Sequence, residues 1–91
     1  MSVLIRFAPE SLTAEQYDAV VTRLTAEGIQ PAEGLEFEVC FGTGDDMKVS
    51  MVWDTPEQFE AFGARLMPIL DEFGIDPGNP EVIDVHNVIS R

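Results

Sequence analysis

The chain has 91 residues, 45% of them hydrophobic and 24% charged, with a formal net charge of −12 at pH 7. That length gives one domain over residues 1–91, because a core split in two would be too small on either side, and the composition excludes a disordered chain. The charge argues against nucleic acid, whose phosphates it would repel, and against anionic membrane surfaces; it keeps a small acidic protein apart from its neighbours.

Cysteine and histidine each occur once, as Cys40 and His86, so neither an internal disulfide nor a metal-ligand spacing is present. No metal and no cofactor is expected. The opening Met1–Pro9 is too short for the apolar region of a signal peptide, and no stretch reaches membrane-spanning length. A reducing, cytoplasmic compartment is the expected setting.

Val3–Phe7 is rich in β-branched and aromatic residues and reads as a first strand, ended by Pro9. Thr13 and Gln16 form a capping box for a helix that Leu12 staples against Tyr17. Tyr17, Val20, Val21 and Leu24 recur at helical spacing, and Gly28 closes the helix in the left-handed conformation. Leu35–Phe41 alternates, with Leu35, Phe37, Val39 and Phe41 on one face and Glu36, Glu38 and Cys40 on the other. That predicts a half-buried strand near an edge, followed by a hairpin loop over Gly42–Asp46. Met47–Asp54 is a third strand carrying the only tryptophan, Trp53.

Thr55, Pro56 and Gln58 then open a second helix, with Thr55 as N-cap and Gln58 completing a second capping box. Phe59, Phe62, Leu66, Ile69, Leu70 and Phe73 make its apolar stripe. Pro68 predicts a kink or a break near Leu66–Pro68, since proline removes a backbone donor and clashes with the preceding turn. Glu81–Ile89 is the last strand.

The two halves echo one another. Thr13–Ala19 matches Thr55–Ala61, Arg23-Leu24 matches Arg65-Leu66, and Gly28-Ile29-Gln30-Pro31 matches Gly74-Ile75-Asp76-Pro77. Two strand–helix–strand copies give an α+β domain of ferredoxin-like order β-α-β-β-α-β, an antiparallel sheet with strands ordered 4-1-3-2 and helices on one face. Both faces of the first and third strands carry apolar groups, and two helices cover only one of them. A homodimer, with a partner sheet over the second face, is therefore expected.

The stretch Trp53-Asp54-Thr55-Pro56-Glu57-Gln58-Phe59-Glu60-Ala61-Phe62, with the ending His86-Asn87-Val88-Ile89, resembles dimeric α/β-barrel proteins of the antibiotic-biosynthesis-monooxygenase-like group. The resemblance implies a homodimer whose two sheets form one barrel with helices outside, and a pocket between sheet and helices. The superfamily includes cofactor-independent monooxygenases, isomerases, haem-degrading enzymes and small proteins without assigned activity. Haem-degrading members place an asparagine on the first strand and a histidine on the second helix. Here the first strand offers Arg6 and Phe7, and the second helix has no histidine, so haem degradation is not expected.

Several residues carry candidate chemistry. His86 has the only side chain that ordinarily titrates near neutrality, and Asp84, two positions away on the same strand face, could orient it as a general base. The plain alternative is a hydrogen-bonded histidine at the interface or sheet edge. Trp53 is either a core residue pinning helix to sheet or a substrate-pocket wall. Arg6 either pairs with Asp84 or binds an anionic ligand. Tyr17 stands at a pocket mouth, and Met51, with Met47 and Met67, either shapes an adaptable pocket or fills the core. Cys40 lacks a neighbour that would make it a nucleophile. The expected function is a cofactor-independent monooxygenase or isomerase acting on an apolar or aromatic small molecule; the alternative is a non-catalytic homodimeric ligand-binding or scaffold module.

Overall fold

A computed structural model describes residues 2–89. Its elements follow the order β1 (Val3–Phe7), α1 (Ala14–Ala26), β2 (Leu35–Phe41), β3 (Lys48–Trp53), α2 (Pro56–Glu72) and β4 (Glu81–Asp84). The four strands form one antiparallel sheet in the order β2-β3-β1-β4, the ferredoxin-like arrangement read from the two strand–helix–strand copies.

The helix ends follow their local chemistry. Thr13 accepts from the Gln16 backbone N–H at 3.1 Å while the Gln16 side chain accepts from the Thr13 N–H at 2.9 Å, a complete capping box. At α2 only half of that box forms. Thr55 accepts from the Gln58 N–H at 3.2 Å, but the Gln58 side chain accepts from the Thr55 hydroxyl rather than its backbone. The Gln58 amide lies against Gly34 instead, where any Cβ would collide with it. Both helices end alike. Ile29 N–H reaches the Leu24 carbonyl and Ile75 N–H reaches the Leu70 carbonyl, each at 2.9 Å, across Gly28 at φ 73° and Gly74 at φ 70°. These are Schellman motifs, and both isoleucines are buried behind them. The echo in the sequence is an echo in structure.

Pro68 does not break α2, which runs unbroken from Pro56 to Glu72. Pro68 and Ala64, whose carbonyl loses its donor there, are both exposed, so water can replace the missing bond.

Register assigns the faces. On the helix side lie the rows Leu35–Trp53–Val3–Asp84 and Glu38–Met51–Ile5–Val82, and from Ile5, Val3, Met51 and Trp53 the core continues into Val20, Leu24, Phe62, Leu66 and Ile69. On the other side lies the row Phe37–Val52–Leu4–Ile83. The even alternation expected of β2 is interrupted by an irregularity between Leu35 and Phe37. The extra residue places Leu35 on the helix face and sends Phe37, Val39 and Phe41 to the uncovered one. Glu38 and Cys40 consequently turn inward. Val52 also belongs to the uncovered face, yet it is only 2% exposed because its neighbours cover it.

Candidate functional site

Between the helices and the sheet lies a cleft of about 60 Å³. Phe7 and Met51 form its floor, Val20 and Leu24 of α1 one wall, and Phe62 and Leu66 of α2 the other. Among the described residues, two of its lining side chains are polar, Tyr17 and Glu38, and none is cationic. It exists because α1 and α2 pack their apolar stripes on one side of the sheet while β2, bearing Glu38, forms the edge beneath Tyr17.

The Tyr17 hydroxyl donates to Glu38 Oε2. Gln30 approaches the other carboxylate oxygen, with Nε2 at 3.5 Å from Oε1. Burial, then the hydrogen bond and negative charge of Glu38, push the Tyr17 phenol far above its usual range. Burial, then the charges of Glu38 and Asp18, likewise push the Cys40 thiol up.

The structure separates the residues singled out in the sequence. Tyr17 and Met51 line the cleft. Trp53 does not; it is 0% exposed, within 6.0 Å of Phe59 and 5.1 Å of Phe62 by ring centroids, and donates from Nε1 to Met51 Sδ at 3.4 Å. Trp53 is thus buried in the core of the described chain. Trp53 sits behind two of the cleft's linings, Met51 and Phe62, and holds them in place.

Arg6 lies on the uncovered face, opposite Glu81, with Nη1 at 4.0 Å from Glu81 Oε1 and both side chains about half exposed. Asp84 stands opposite Val3 on the other face, so the expected Arg6–Asp84 pair does not form. An odd register separation puts the two on opposite sides. The last strand is also shorter than expected. Its pairing ends at Asp84, followed by one bond from Val85 N–H to the Ser2 carbonyl at 3.1 Å, because β4 there runs past the start of β1. His86 follows, exposed and outside the cleft.

Glu38 is the residue that reading the sequence did not single out. Strict alternation placed it on the outward side of β2, and no local residue pattern marks the bulge that reverses it. Among the described residues, no group of three or more His, Cys, Asp or Glu side chains is placed to hold a metal ion, and no helix is long and apolar enough to cross a membrane. Two depressions lie elsewhere, one beside Gln58 and Arg65 and one beside Asp71 and Asp76; Met67 lines the second, and His86, Asp84, Arg6 and Trp53 line neither.

The sequence matches no protein-family model and no curated protein. Solved structures do share its architecture. SnoaB, a cofactor-independent oxygenase from Streptomyces nogalater, aligns with a TM-score of 0.62 at 17% identity, over 99% of this chain and 96% of that one. A candidate antibiotic biosynthesis monooxygenase from Deinococcus radiodurans gives 0.62 at 11% identity, over 100% and 98% of the two chains. The haem-degrading MhuD from Mycobacterium tuberculosis gives 0.54 at 16% identity, over 99% and 100%. The chain has the ferredoxin-like fold of antibiotic-biosynthesis-monooxygenase-like proteins. At these identities the likeness is one of fold.

Proposed function

We propose that the protein binds an apolar, aromatic small molecule in the cleft between helices and sheet, and oxidises it as a cofactor-independent monooxygenase. The observation that carries this is the cleft itself: apolar walls from both helices and the sheet, ended by one phenol–carboxylate pair, the composition expected of a small-molecule site. SnoaB, which shares the fold, is a cofactor-independent oxygenase. In such a reaction the substrate itself supplies the electrons. One oxygen atom of dioxygen enters the product, and the other leaves as water with two substrate hydrogens. At about 60 Å³ the cleft is tighter than the roughly 150 Å³ apolar cavity that accepts benzene, so its walls must part on binding.

The reading includes a cytoplasmic homodimer. Phe37, Val39, Phe41 and Ile83 are between 40% and 46% exposed on one sheet face, an apolar surface that a second copy would cover. With a net charge of −12, two copies meet through apolar contact rather than charge attraction. His86, exposed on the segment beyond β4, acts in this reading only through the dimer, with Asp84, two positions earlier in the chain, as the orienting carboxylate.

The test is oxygen uptake with electron-rich hydroxylated aromatics and no added flavin, nicotinamide or metal. Uptake that depends on the protein, and is lost when Val21→Trp fills the cleft, is the expected result. Unchanged uptake in Val21→Trp refutes the site. Saturable binding without uptake makes the protein a ligand-binding module, a reading favoured by the one observation that His86 does not line the cleft.

A further inference from the structure

We infer that Glu38 makes the cleft selective for neutral aromatic molecules carrying a hydroxyl or similar hydrogen-bond donor, and turns away aromatic acids of the same size. The inference rests on the cleft being the binding site, and adds what kind of molecule it takes.

Among the described residues that line the cleft, Glu38 is the sole carboxylate and none is cationic. The bulge in β2 aims it inward, in one row with Met51 and Ile5. A charge on the covered face of a sheet is costly to desolvate and persists where hydrogen bonds satisfy it. Its oxygens are unequally satisfied. Oε2 accepts from the Tyr17 hydroxyl, whereas among the described residues Oε1 has only the Gln30 amide at 3.5 Å, the far limit of a hydrogen bond. Oε1 therefore retains acceptor capacity where the apolar walls end.

A phenol-like ligand can lay its ring between Val20 and Leu66 and donate to that oxygen. The bond is charge-assisted, and low-polarity walls strengthen it. A carboxylate on the same ring has no donor, and it meets the like charge of Glu38. Like charges repel most where water is excluded. A ring with no polar group gains burial alone.

The experiment follows methyl NMR shifts of Val20, Leu24 and Leu66 while the full chain is titrated with phenol, toluene or benzoate. Phenol is expected to bind at least about tenfold more tightly than benzoate, with toluene between them. Glu38→Gln keeps the shape and removes the charge, so the phenol-to-benzoate ratio should fall about tenfold, mainly through a gain for benzoate. Tyr17→Phe frees the second oxygen and should tighten phenol a few-fold, which tests the idea from the other side if Glu38→Gln folds poorly.

Benzoate equal to phenol in the wild type overturns the inference, and so does a ratio unmoved in Glu38→Gln. If all three ligands bind alike, Glu38 is no selector and the cleft survives as a site. If none shifts the methyl signals, the cleft reading and the inference fall together.

Discussion

Truncating Trp53 tests how the sheet and α2 are joined. The side chain is 0% exposed and packs against Phe59 and Phe62 at centroid distances of 6.0 and 5.1 Å. Trp53→Ala removes the transfer energy of the ring, leaves a cavity and breaks both aromatic contacts, so it should cost about 3–5 kcal/mol. A domain of this size has roughly 5–14 kcal/mol in total, so a large share of its stability is at stake. With a urea slope near 1.2 kcal/mol/M, typical of small proteins, the midpoint should drop by about 2–4 M. The assay is far-ultraviolet circular dichroism at fixed protein concentration, since the variant has lost its fluorophore and self-association would move the midpoint. Trp53→Phe should keep more than half of the loss from appearing. A loss below about 1 kcal/mol in Trp53→Ala would contradict a core role, because no buried tryptophan is removed so cheaply.

Other measurements probe separate parts of the molecule. Thr55→Ala should cost about 1 kcal/mol through the lost bond to the Gln58 N–H, and Thr13→Ala no more than that, because the residue-13 backbone N–H still donates to the Gln16 side chain; an unfolding midpoint unmoved in either variant would refute the cap it removes. Sedimentation equilibrium at micromolar concentration should give twice the chain mass, and Val39→Asp should halve it without unfolding the chain. Val39 suits this test better than Val52, whose 2% exposure means a charge there would damage the monomer as well. Tyr17, the only tyrosine, holds its proton more tightly when folded than its ordinary value of 10, so its stabilising contribution is complete below that pH and lost above it. Ultraviolet titration should therefore show phenolate appearing only together with alkaline unfolding. Ionisation of the folded chain near pH 10 would disprove the burial and the Glu38 bond as its causes. Once turnover is measurable, His86→Ala should lower it about 10²–10⁴-fold while ligand binding persists; full activity would remove His86 from the mechanism.

Most of the architecture can be read from the chain because its signals are local. Capping residues, the Gly-Ile closures and the period-two strand around Trp53 each act within a few residues, and together they dictate the order β-α-β-β-α-β. What stayed hidden depends on partners distant in sequence. Arg6 faces Glu81 rather than Asp84 because the β1–β4 register decides it, and nothing in Val3–Phe7 encodes that offset. The pairing of β4 stops at Asp84 for the same reason: the length of a strand is set by its neighbour as much as by its own residues. The general cost of an interior proline predicts a break at Pro68, but its exposure lets water replace the missing hydrogen bond and α2 continues. Glu38 was hidden most deeply, since a single unpaired residue reverses every side chain after it.

That bulge gives β2 an unusual genetic layout. Beyond it, positions 38 and 40 belong to the helix side, where Glu38 lines the cleft, while 37, 39 and 41 belong to the face that would meet a second copy. Two independent texts are interleaved in seven residues. Substitutions at alternate codons can retune ligand choice or self-association one at a time, whereas losing one residue at Glu36 would exchange the two texts at once. Point changes in this strand are thus modular, and length changes are not tolerated.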